Sequence, residues 1–299
     1  LPPRRLLVFN CHEAWIHELR WLPWQIDLIT DLPGRAVRGW DTAMRPLPAG
    51  ARVISLEEAR TQGGGWHCIL CHNVSDLLAA KDLRGPRLMV IHVTLEGRMQ
   101  EEQPRFTATE MQAQLLQYCQ LNHVHLIAVS ALKGRSWGFH GDLVRLAVNV
   151  EDYPQCTGTL SEGIRVSNLI SVRPKILLWD FHRAAFEGLP IKLVGRNPDM
   201  PGVEPSRDWA ELKSLLAERR FFIHTAATTM EDGYNLATLE AMATGLPVLG
   251  NRHPTSPVED GVSGFLSDDP AQLRGYAVRL LEDRELALRM GQAARARVH

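Results

Sequence analysis

Short apolar runs that alternate with helix-like segments constrain the fold of this chain more than any other feature. Strands that are apolar throughout are buried on both faces, and strands that alternate with helices form a parallel sheet covered by those helices. The first half is therefore predicted to be a doubly wound α/β domain. Its predicted strands lie at residues 6–10, 69–71, 88–93 and 125–129, and its predicted helices lie at residues 75–81 and 109–121.

The second half repeats this alternation after an aperiodic, Pro- and Gly-containing segment at residues 148–158, which is predicted to be a linker. We therefore expect an N-terminal domain at residues 1–150 and a C-terminal domain at 151–299. A first residue that is not Met and a helical pattern that reaches the last residue indicate a longer native chain. The predicted elements are an extended segment at 163–172, strands at 191–194, 221–224 and 248–250, and helices at 176–187, 208–218, 236–244, 271–281 and 285–297.

The charge balance and composition argue against nucleic-acid binding, a membrane span and a disulfide framework. The 299 residues include 33 Lys and Arg and 34 Asp and Glu, a formal net charge of −1. Because non-specific nucleic-acid binding needs a large basic surface, no nucleic-acid partner is expected. No apolar run approaches the roughly 20 residues that span a bilayer. The five cysteines are scattered and odd in number, which favours a reducing, cytoplasmic location over a disulfide framework.

Two strings resemble metal or haem motifs but depart from them. Cys68, Cys71 and His72 match the C-x-x-C-H string of haem attachment, yet their flanks are typical of a buried strand, so core cysteines are the preferred interpretation. A zincin needs two histidines four residues apart on one helix face, but His12 and His17 are five apart. Without a second pair at ligand spacing, no metal site is predicted.

Aromatic residues near the N-terminus leave contact with a membrane surface open. Trp15, Trp21, Trp24 and Arg20 could touch lipid, line an acceptor site or pack in the core. Packing in the core is the preferred interpretation.

The segment after the predicted strand at residues 221–224 has the features of an anion site. A polar loop at residues 228–234 contains Gly233 and opens the predicted helix at 236–244. Free backbone N–H groups at a helix start suit a diphosphate. Glu240, about one turn into the helix, would reach the hydroxyls of a ribose, and Asp232 would meet what lies beyond the diphosphate. Alternatively, Asp232 only favours the helix dipole and Glu240 is an exposed helix glutamate.

A longer stretch makes the first alternative the preferred one. Residues 232–235 read DGYN, residues 239–248 read LEAMATGLPV and residues 257–266 read PVEDGVSGFL. In this order the strings resemble the donor-binding half of glycosyltransferase family 4 (group 1), with weaker echoes at residues 89–92, 127–130, 147–153 and 191–195. The resemblance implies an α/β protein of the GT-B fold, with two Rossmann-like, doubly wound parallel-sheet domains facing across a cleft. The N-terminal domain would be the acceptor side and the C-terminal domain the donor side.

The resemblance also implies roles for individual residues. Asp232 would stand where the first glutamate of the family meets the donor sugar, Glu240 would hold the ribose hydroxyls, and His92 would face the sugar from the N-terminal domain. Arg173 and Lys175 are the nearest candidates for the cation pair that neutralises the diphosphate. A core histidine and ordinary surface charges are the alternatives for these last three. The other donor-binding candidates are Gly233, Tyr234, Asn235, Leu236, Gly195 and Arg196.

The implied reaction is a retaining, metal-independent transfer of a sugar from a nucleotide-diphosphate sugar, UDP- or GDP-linked, to a glycan, lipid or small-molecule hydroxyl. Beyond this co-substrate, no cofactor is expected. Asp232 is one methylene shorter than the usual glutamate, and the spacing of Arg173 and Lys175 departs from the pattern of the family. These departures keep two alternatives open: a catalytically silent GT-B domain that binds a nucleotide sugar, and a non-hydrolysing sugar-nucleotide epimerase. The sequence does not indicate an oligomeric state.

Overall fold

The computed structural model describes residues 4–33 and 38–299. The chain divides into two compact units between Leu146 and Ala147. This division lies four residues before the boundary that the sequence suggests. Each unit is built around a parallel sheet of its own.

The N-terminal unit contains a six-stranded parallel sheet. Its strands are β1 (Arg5–Phe9), β2 (Gln25–Ile29), β3 (Ala51–Ile54), β4 (Cys68–Cys71), β5 (Arg87–Ile91) and β6 (Val124–Ala128). Its helices are α1 (Glu13–His17), α2 (Leu56–Gln62), α3 (Val74–Ala79), α4 (Leu95–Glu102), α5 (Ala108–Leu121) and α6 (Ala131–Ser136). The strand order is β3-β2-β1-β4-β5-β6, and all pairs are parallel. The order reverses between β1 and β4, the position where doubly wound sheets bind ligands at the carboxyl ends of their strands.

Both faces of this sheet are buried. Leu7 and Phe9 of β1 belong to one apolar cluster, whereas Leu6 and Val8 belong to another. Because successive side chains of a strand point to opposite faces, the two clusters lie on the two sides of the sheet. The continuous apolar strands read from the sequence are thus explained by burial on both sides.

The C-terminal unit contains a five-stranded parallel sheet in the order β11-β10-β9-β7-β8. Its strands are β7 (Gly163–Val166), β8 (Ile191–Val194), β9 (Phe221–Ile223), β10 (Val248–Gly250) and β11 (Gly264–Leu266). Its helices are α7 (Trp179–Phe186), α8 (Trp209–Glu218), α9 (Leu236–Thr244), α10 (Pro270–Glu282) and α11 (Arg284–Val298). A short 3-10 helix at Val150–Asp152 precedes them within the predicted linker.

The predicted fold class, two doubly wound parallel-sheet domains, is confirmed. β8, β10 and α9 begin and end at the predicted residues. The extended segment predicted at residues 163–172 is wrong beyond Val166, where β7 ends. The prediction also omitted several elements, namely β2, β3, β11, α1, α2, α4 and α6.

The tryptophans near the N-terminus have different environments. Trp15 and Trp24 are partly buried and pack against the core, as predicted. Trp21 is 65% exposed, so the prediction of core packing is wrong for this residue. Within the described part of the chain, no helix combines the length and the apolar character needed to cross a membrane.

Helix α11 packs closely against α9 in the C-terminal unit. Gly245 ends α9 in the left-handed conformation with φ +89°, which the sequence pattern predicted for this glycine. A Cβ at Gly291 of α11 would overlap the carbonyl oxygen of Gly245. The contact therefore requires a glycine in α11 as well. One turn further on, the guanidinium of Arg295 donates hydrogen bonds to the carbonyl oxygens of Val150, Tyr153 and Ala243.

Candidate functional site

A capping box shapes the start of α9. Asn235 Oδ1 accepts a hydrogen bond from the Thr238 N–H (2.9 Å), and Thr238 Oγ1 accepts one from the Asn235 N–H (3.4 Å). Among the described residues, none accepts a hydrogen bond from the N–H groups of Leu236 and Ala237. These two donors, together with the helix dipole, can bind an anion.

The turn before α9 depends on close packing at Gly233. The Gly233 N–H donates to Thr255 Oγ1 at 2.8 Å, which ties the turn to the segment after β10. A Cβ at residue 233 would lie 2.8 Å from the Cβ, Cγ and Nδ1 atoms of His253. The glycine is thus required by the approach of the His253 imidazole, because its φ is not in the left-handed region.

The two acidic residues of the motif are both buried. Glu240 is 4% exposed, so the alternative interpretation as an exposed helix glutamate is wrong. Asp232 is 1% exposed, and its backbone carbonyl accepts a hydrogen bond from His224 Nε2 at 3.2 Å. The neighbouring Glu231 is only partly buried. In this structure the more accessible carboxylate of the turn therefore belongs to Glu231.

The structure brings one of the two predicted cations to this turn. Arg173 Nη2 lies 3.9 Å from Glu231 Oε2, and both side chains are partly buried. Lys175 is exposed, and within the described part of the chain it makes no ion pair within 4.0 Å. Arg173 is thus placed beside Glu231, in the loop that leads to α9, whereas Lys175 has no ion pair with this loop.

The predicted donor-binding residues after β8 lie at the same edge of the sheet. Gly195 has φ +138°, and a Cβ there would overlap the Ser167 carbonyl oxygen of the turn after β7. The exposed Arg196 is held through its backbone, whose N–H donates to Asn168 Oδ1 at 2.8 Å. Asn197 links the same two turns, since its amide donates to Ser167 O and accepts from Ile170 N–H. The two turns form one hydrogen-bonded surface.

An arginine in the middle of β7 is buried beneath these turns. Arg165 is 2% exposed, and its guanidinium donates to Thr225 Oγ1 (2.9 Å) and to the Leu177 carbonyl (2.8 Å). Burial lowers its pKa to about 10, so it stays charged at neutral pH. Burial, with this charge nearby, also lowers the pKa of His182 to about 2 and that of His224 to about 4. Both imidazoles are therefore neutral at pH 7.

In the N-terminal unit, His92 lies just after β5 among other aromatic rings. Its Nε2 is 2.8 Å from Nδ1 of His72, the residue after β4. The Trp15 ring meets both imidazoles edge-on, with centroids 4.8 Å from His72 and 5.3 Å from His92. Burial, and secondarily the charge of Lys133, lower the pKa of His92 to about 3. His92 is therefore a neutral imidazole within a partly buried cluster of rings.

Sequence reasoning missed several residues that shape these sites. His253 and Thr255 were not singled out, and nothing in their local sequence marks them. Arg165 does carry a signal, because an arginine within the otherwise apolar string GIRV must find buried partners. Glu231 is adjacent to Asp232 but one residue out of register with the family's spacing to Glu240, so the motif does not single it out. Its relevance depends on which carboxylate the turn exposes, and the spacing alone does not specify that.

Residues 192–283, nearly a third of the chain, match the family model for glycosyl transferases group 1. This segment contains most of β8 and extends through α9 to the end of α10. This match confirms the resemblance to group 1 glycosyltransferases that the sequence motifs indicated. No curated protein sequence matches the chain.

Solved structures with the same fold cover most of the chain. Sucrose-phosphate synthase from Thermosynechococcus elongatus is 14% identical, with 99% of this chain and 94% of that chain covered and a TM-score of 0.69. HepE from Anabaena, in complex with UDP and glucose, is 16% identical, with 97% and 93% covered and a TM-score of 0.69. TarM is 14% identical, with 77% of this chain and 51% of TarM covered and a TM-score of 0.59. The chain thus spans about half the length of TarM.

The fold and the matched segment together define the class of the protein. The protein has the GT-B fold of these structures, and residues 192–283 of its C-terminal unit match the model of group 1 glycosyl transferases. The open start of α9 lies within that matched segment.

Proposed function

We propose that the protein transfers a sugar from a nucleotide-diphosphate sugar to a hydroxyl acceptor, with retention at the anomeric carbon and without a metal ion bridging the diphosphate. The observation that carries this proposal is the start of α9, where the N–H groups of Leu236 and Ala237 are available one turn before the buried Glu240. HepE, which has the same fold, binds UDP and glucose. UDP is therefore the first nucleotide to test, followed by GDP.

Stabilisation of the leaving group follows from the charges around this turn. Negative charge grows on the departing diphosphate during transfer, so preorganised donors at that position lower the barrier. The N–H groups of Leu236 and Ala237 and the guanidinium of Arg173 would supply them, with Lys175 adding a more distant, solvated charge. The N–H of Asn235, a predicted donor-binding residue, is instead bonded to Thr238 Oγ1 within the capping box. Binding of the diphosphate would compete with Glu231 for Arg173.

The other proposed contacts are with the ribose, the nucleobase and the phosphate of the nucleotide sugar. Glu240 would accept hydrogen bonds from the two ribose hydroxyls, which are the only strong donors of a nucleotide sugar near that point. Gly195 and Arg196 would lie beside the nucleobase, and Gly233 would let the backbone approach the phosphate. An acceptor buried at 4% exposure gives these hydrogen bonds more weight than a solvated one would.

The carboxylate that meets the donor sugar is assigned to the 231–232 pair. The motif favours Asp232, but Asp232 is buried, whereas Glu231 is partly exposed beside Arg173. On the N-terminal side, His92 would contribute a neutral imidazole to the sugar, consistent with its lowered pKa of about 3. The acceptor would be a glycan, a lipid or a small molecule, and we place the reaction in the cytoplasm, with membrane-surface contact through Trp21 as an option.

The test is titration calorimetry of the whole chain with UDP, GDP and ADP and their sugar conjugates, first without added metal. We expect one nucleotide to bind, and Glu240→Gln to weaken its binding about ten- to a hundredfold, because a hydrogen-bonded charge is lost. The exposed Glu282 of α10 provides the matched control, Glu282→Gln, which should bind like the wild type. Equal affinity of the Glu240→Gln variant and the wild type would overturn the assignment of this site.

The burial of Asp232 also favours a second candidate, a catalytically silent GT-B domain that binds a nucleotide sugar without turnover. Product analysis with the nucleotide sugar that binds separates the two candidates. Transfer to an added hydroxyl acceptor supports the first candidate. Binding without transfer to any acceptor tested supports the second, and interconversion of the donor without acceptor would instead identify an epimerase.

A further inference from the structure

Three side chains from separate parts of the sequence converge in the N-terminal unit. Cys11 lies two residues after β1, His72 directly follows β4, and His92 directly follows β5. Because these strands are neighbours in one parallel sheet, their carboxyl ends meet at one edge. One ligand-forming atom from each of the three side chains lies within 4.8 Å of the other two. The backbone topology itself therefore produces this cluster.

We propose that Cys11, His72 and His92 bind a transition-metal ion, with Zn²⁺ as the best-matched cation. One thiolate and two imidazoles form a soft N₂S donor set, which suits zinc and is unsuited to Mg²⁺ or Ca²⁺, whose ligands are oxygens. Three protein ligands leave the fourth tetrahedral position for water or another oxygen. The thiol of Cys11 is not part of a disulfide, so it can ionise on binding the ion.

The geometry needs only small movements to accept the ion. His72 Nδ1 and His92 Nε2 are 2.8 Å apart, whereas two nitrogens on tetrahedral zinc, each about 2.0–2.1 Å from the ion, are separated by about 3.3 Å. The hydrogen-bonded pair would open by about half an ångström and replace its shared proton with the metal. His72 is 5% exposed, while Cys11 and His92 are only partly buried, which leaves an entry path on their side.

The surroundings favour a site that includes the thiolate. The Trp15 ring packs edge-on against both imidazoles, which restricts their rotation and keeps their nitrogens converged. Lys133, and after it His12, are the charged groups whose fields reach His92. A positive charge disfavours a cation bound only by neutral imidazoles, and the negative charge of an ionised Cys11 offsets it.

Occupancy of this site has a consequence that rests on the proposed function. The metal would hold the imidazole of His92, the residue to which the proposed function gives a contact with the donor sugar. Zn²⁺ is therefore expected to slow sugar transfer by the wild type and to leave transfer by the Cys11→Ser variant unchanged. Slowing in both would place the inhibitory ion elsewhere and overturn this consequence, while the direct binding measurement below tests the site itself.

The direct test uses the full chain, stripped of metal with a chelator and titrated with Co²⁺ followed by absorption and with Zn²⁺ followed by calorimetry. We expect one ion per chain, a cobalt spectrum with a thiolate charge-transfer band, and at least about a hundredfold weaker binding in Cys11→Ser and in His72→Gln. The matched controls are Cys68→Ser, a partly buried thiol of the same unit, and His125→Gln, an exposed histidine. Both should bind like the wild type.

Two results would overturn the proposal: cobalt binding without a thiolate band, or equal zinc affinity in the Cys11→Ser variant and the wild type. Circular dichroism melting curves establish that each variant is folded, and His72→Gln decides the matter if Cys11→Ser does not fold. UDP titration of the same samples reports on the C-terminal unit. Failure of nucleotide binding would therefore contradict the proposed function without affecting the metal result. Failure of metal binding would overturn the metal site without affecting the proposed function.

Discussion

The two sheets present different chemistry at the same structural position, the carboxyl ends of their strands. In the C-terminal unit, backbone N–H groups at the start of α9 and a neighbouring carboxylate come from one continuous stretch, residues 231–240. In the N-terminal unit, a thiol and two imidazoles come from three turns that are distant in sequence. One position in a doubly wound sheet can therefore hold an anion site or a cation site, depending on what the turns carry.

The comparison also explains why only one of the two sites can be read from a sequence. A site on a single turn and helix leaves a contiguous motif. A site assembled from several turns becomes visible only when the strand order is known, because that order decides which turns are neighbours. Cys11 carries no local signal, the C-x-x-C-H string that contains His72 indicated core cysteines, and the absence of a ligand pair at fixed spacing led to the expectation of no metal site.

The largest expected effect is the loss of stability of the C-terminal unit when the pH is lowered. His182 and His224 are buried with pKa values lowered to about 2 and about 4, so the unfolded chain binds protons that the native state does not. Their stabilisation is complete above pH 6.5 and is lost as the pH falls from there. Between pH 7 and pH 5 each histidine should cost about 2 kcal/mol of unfolding free energy, as measured by urea unfolding at the two pH values.

The variant His224→Gln keeps a donor for the Asp232 carbonyl and removes the titrating group. Its loss of stability between pH 7 and pH 5 should be smaller than that of the wild type by that same amount. The matched control is His125→Gln, since His125 is exposed. An acid sensitivity of His224→Gln equal to that of the wild type would show that His224 is not buried as described.

A second prediction concerns Gly233→Ala, which should weaken nucleotide binding by the C-terminal unit but not metal binding by the N-terminal unit. In Gly233→Ala, the new Cβ would lie 2.8 Å from three atoms of His253, so the turn before α9 must shift. Such overpacking typically costs about 1–3 kcal/mol, and we expect about tenfold or greater loss of UDP affinity by calorimetry. Gly275→Ala in α10 is the control, because its Cβ would meet no atom within 4 Å.

Metal binding by the N-terminal unit should be the same in the Gly233→Ala variant and the wild type. If the alanine variant bound UDP as well as the wild type, the close packing at Gly233 would not position the donor site. If it lost both ligands, the variant would have damaged both units, and the two sites would not be independent.

The smallest expected effect compares two helix caps of the same type. Thr107 of α5 and Asn235 of α9 each form a capping box with the residue three positions on. Thr107→Ala and Asn235→Ala should each cost about 1 kcal/mol of stability by urea unfolding. Only Asn235→Ala should also weaken UDP binding, because only that cap borders the predicted anion site. Equal UDP affinity in the two variants would argue against a role for the start of α9.

Most strands with a strong apolar signal were predicted, whereas β2, which has a charged residue at its centre, was missed. β2 reads QIDLI, and its Asp27 is fully buried because Arg5, Arg52 and Trp66 donate hydrogen bonds to its carboxylate. These partners lie far from Asp27 in the sequence, so no local pattern reveals them. β3 is an edge strand whose two central residues are exposed, which leaves too little apolar signal to identify it.

In the candidate site as well, features set by local sequence were predicted and features set by tertiary packing were not. The start and end of α9 and the glycine at its end follow from local rules of capping, and both were predicted correctly. The burial of Asp232, the accessibility of Glu231 and the pairing of Glu231 with Arg173 depend on tertiary packing. The role assigned to each carboxylate therefore stays a prediction for the experiments above.

Because α11 packs against the last turn of α9, docking of α11 and nucleotide binding at the first turn of α9 are expected to be coupled. Arg295 holds the last turn of α9 through the Ala243 carbonyl, while the first turn faces the predicted diphosphate. A nucleotide that favours the ordered first turn also favours the docked α11, and by reciprocity a detached α11 weakens nucleotide binding by the same free energy. Slower hydrogen exchange of the α11 amides in the presence of nucleotide is the observable form of this coupling, far from any contact with the ligand itself.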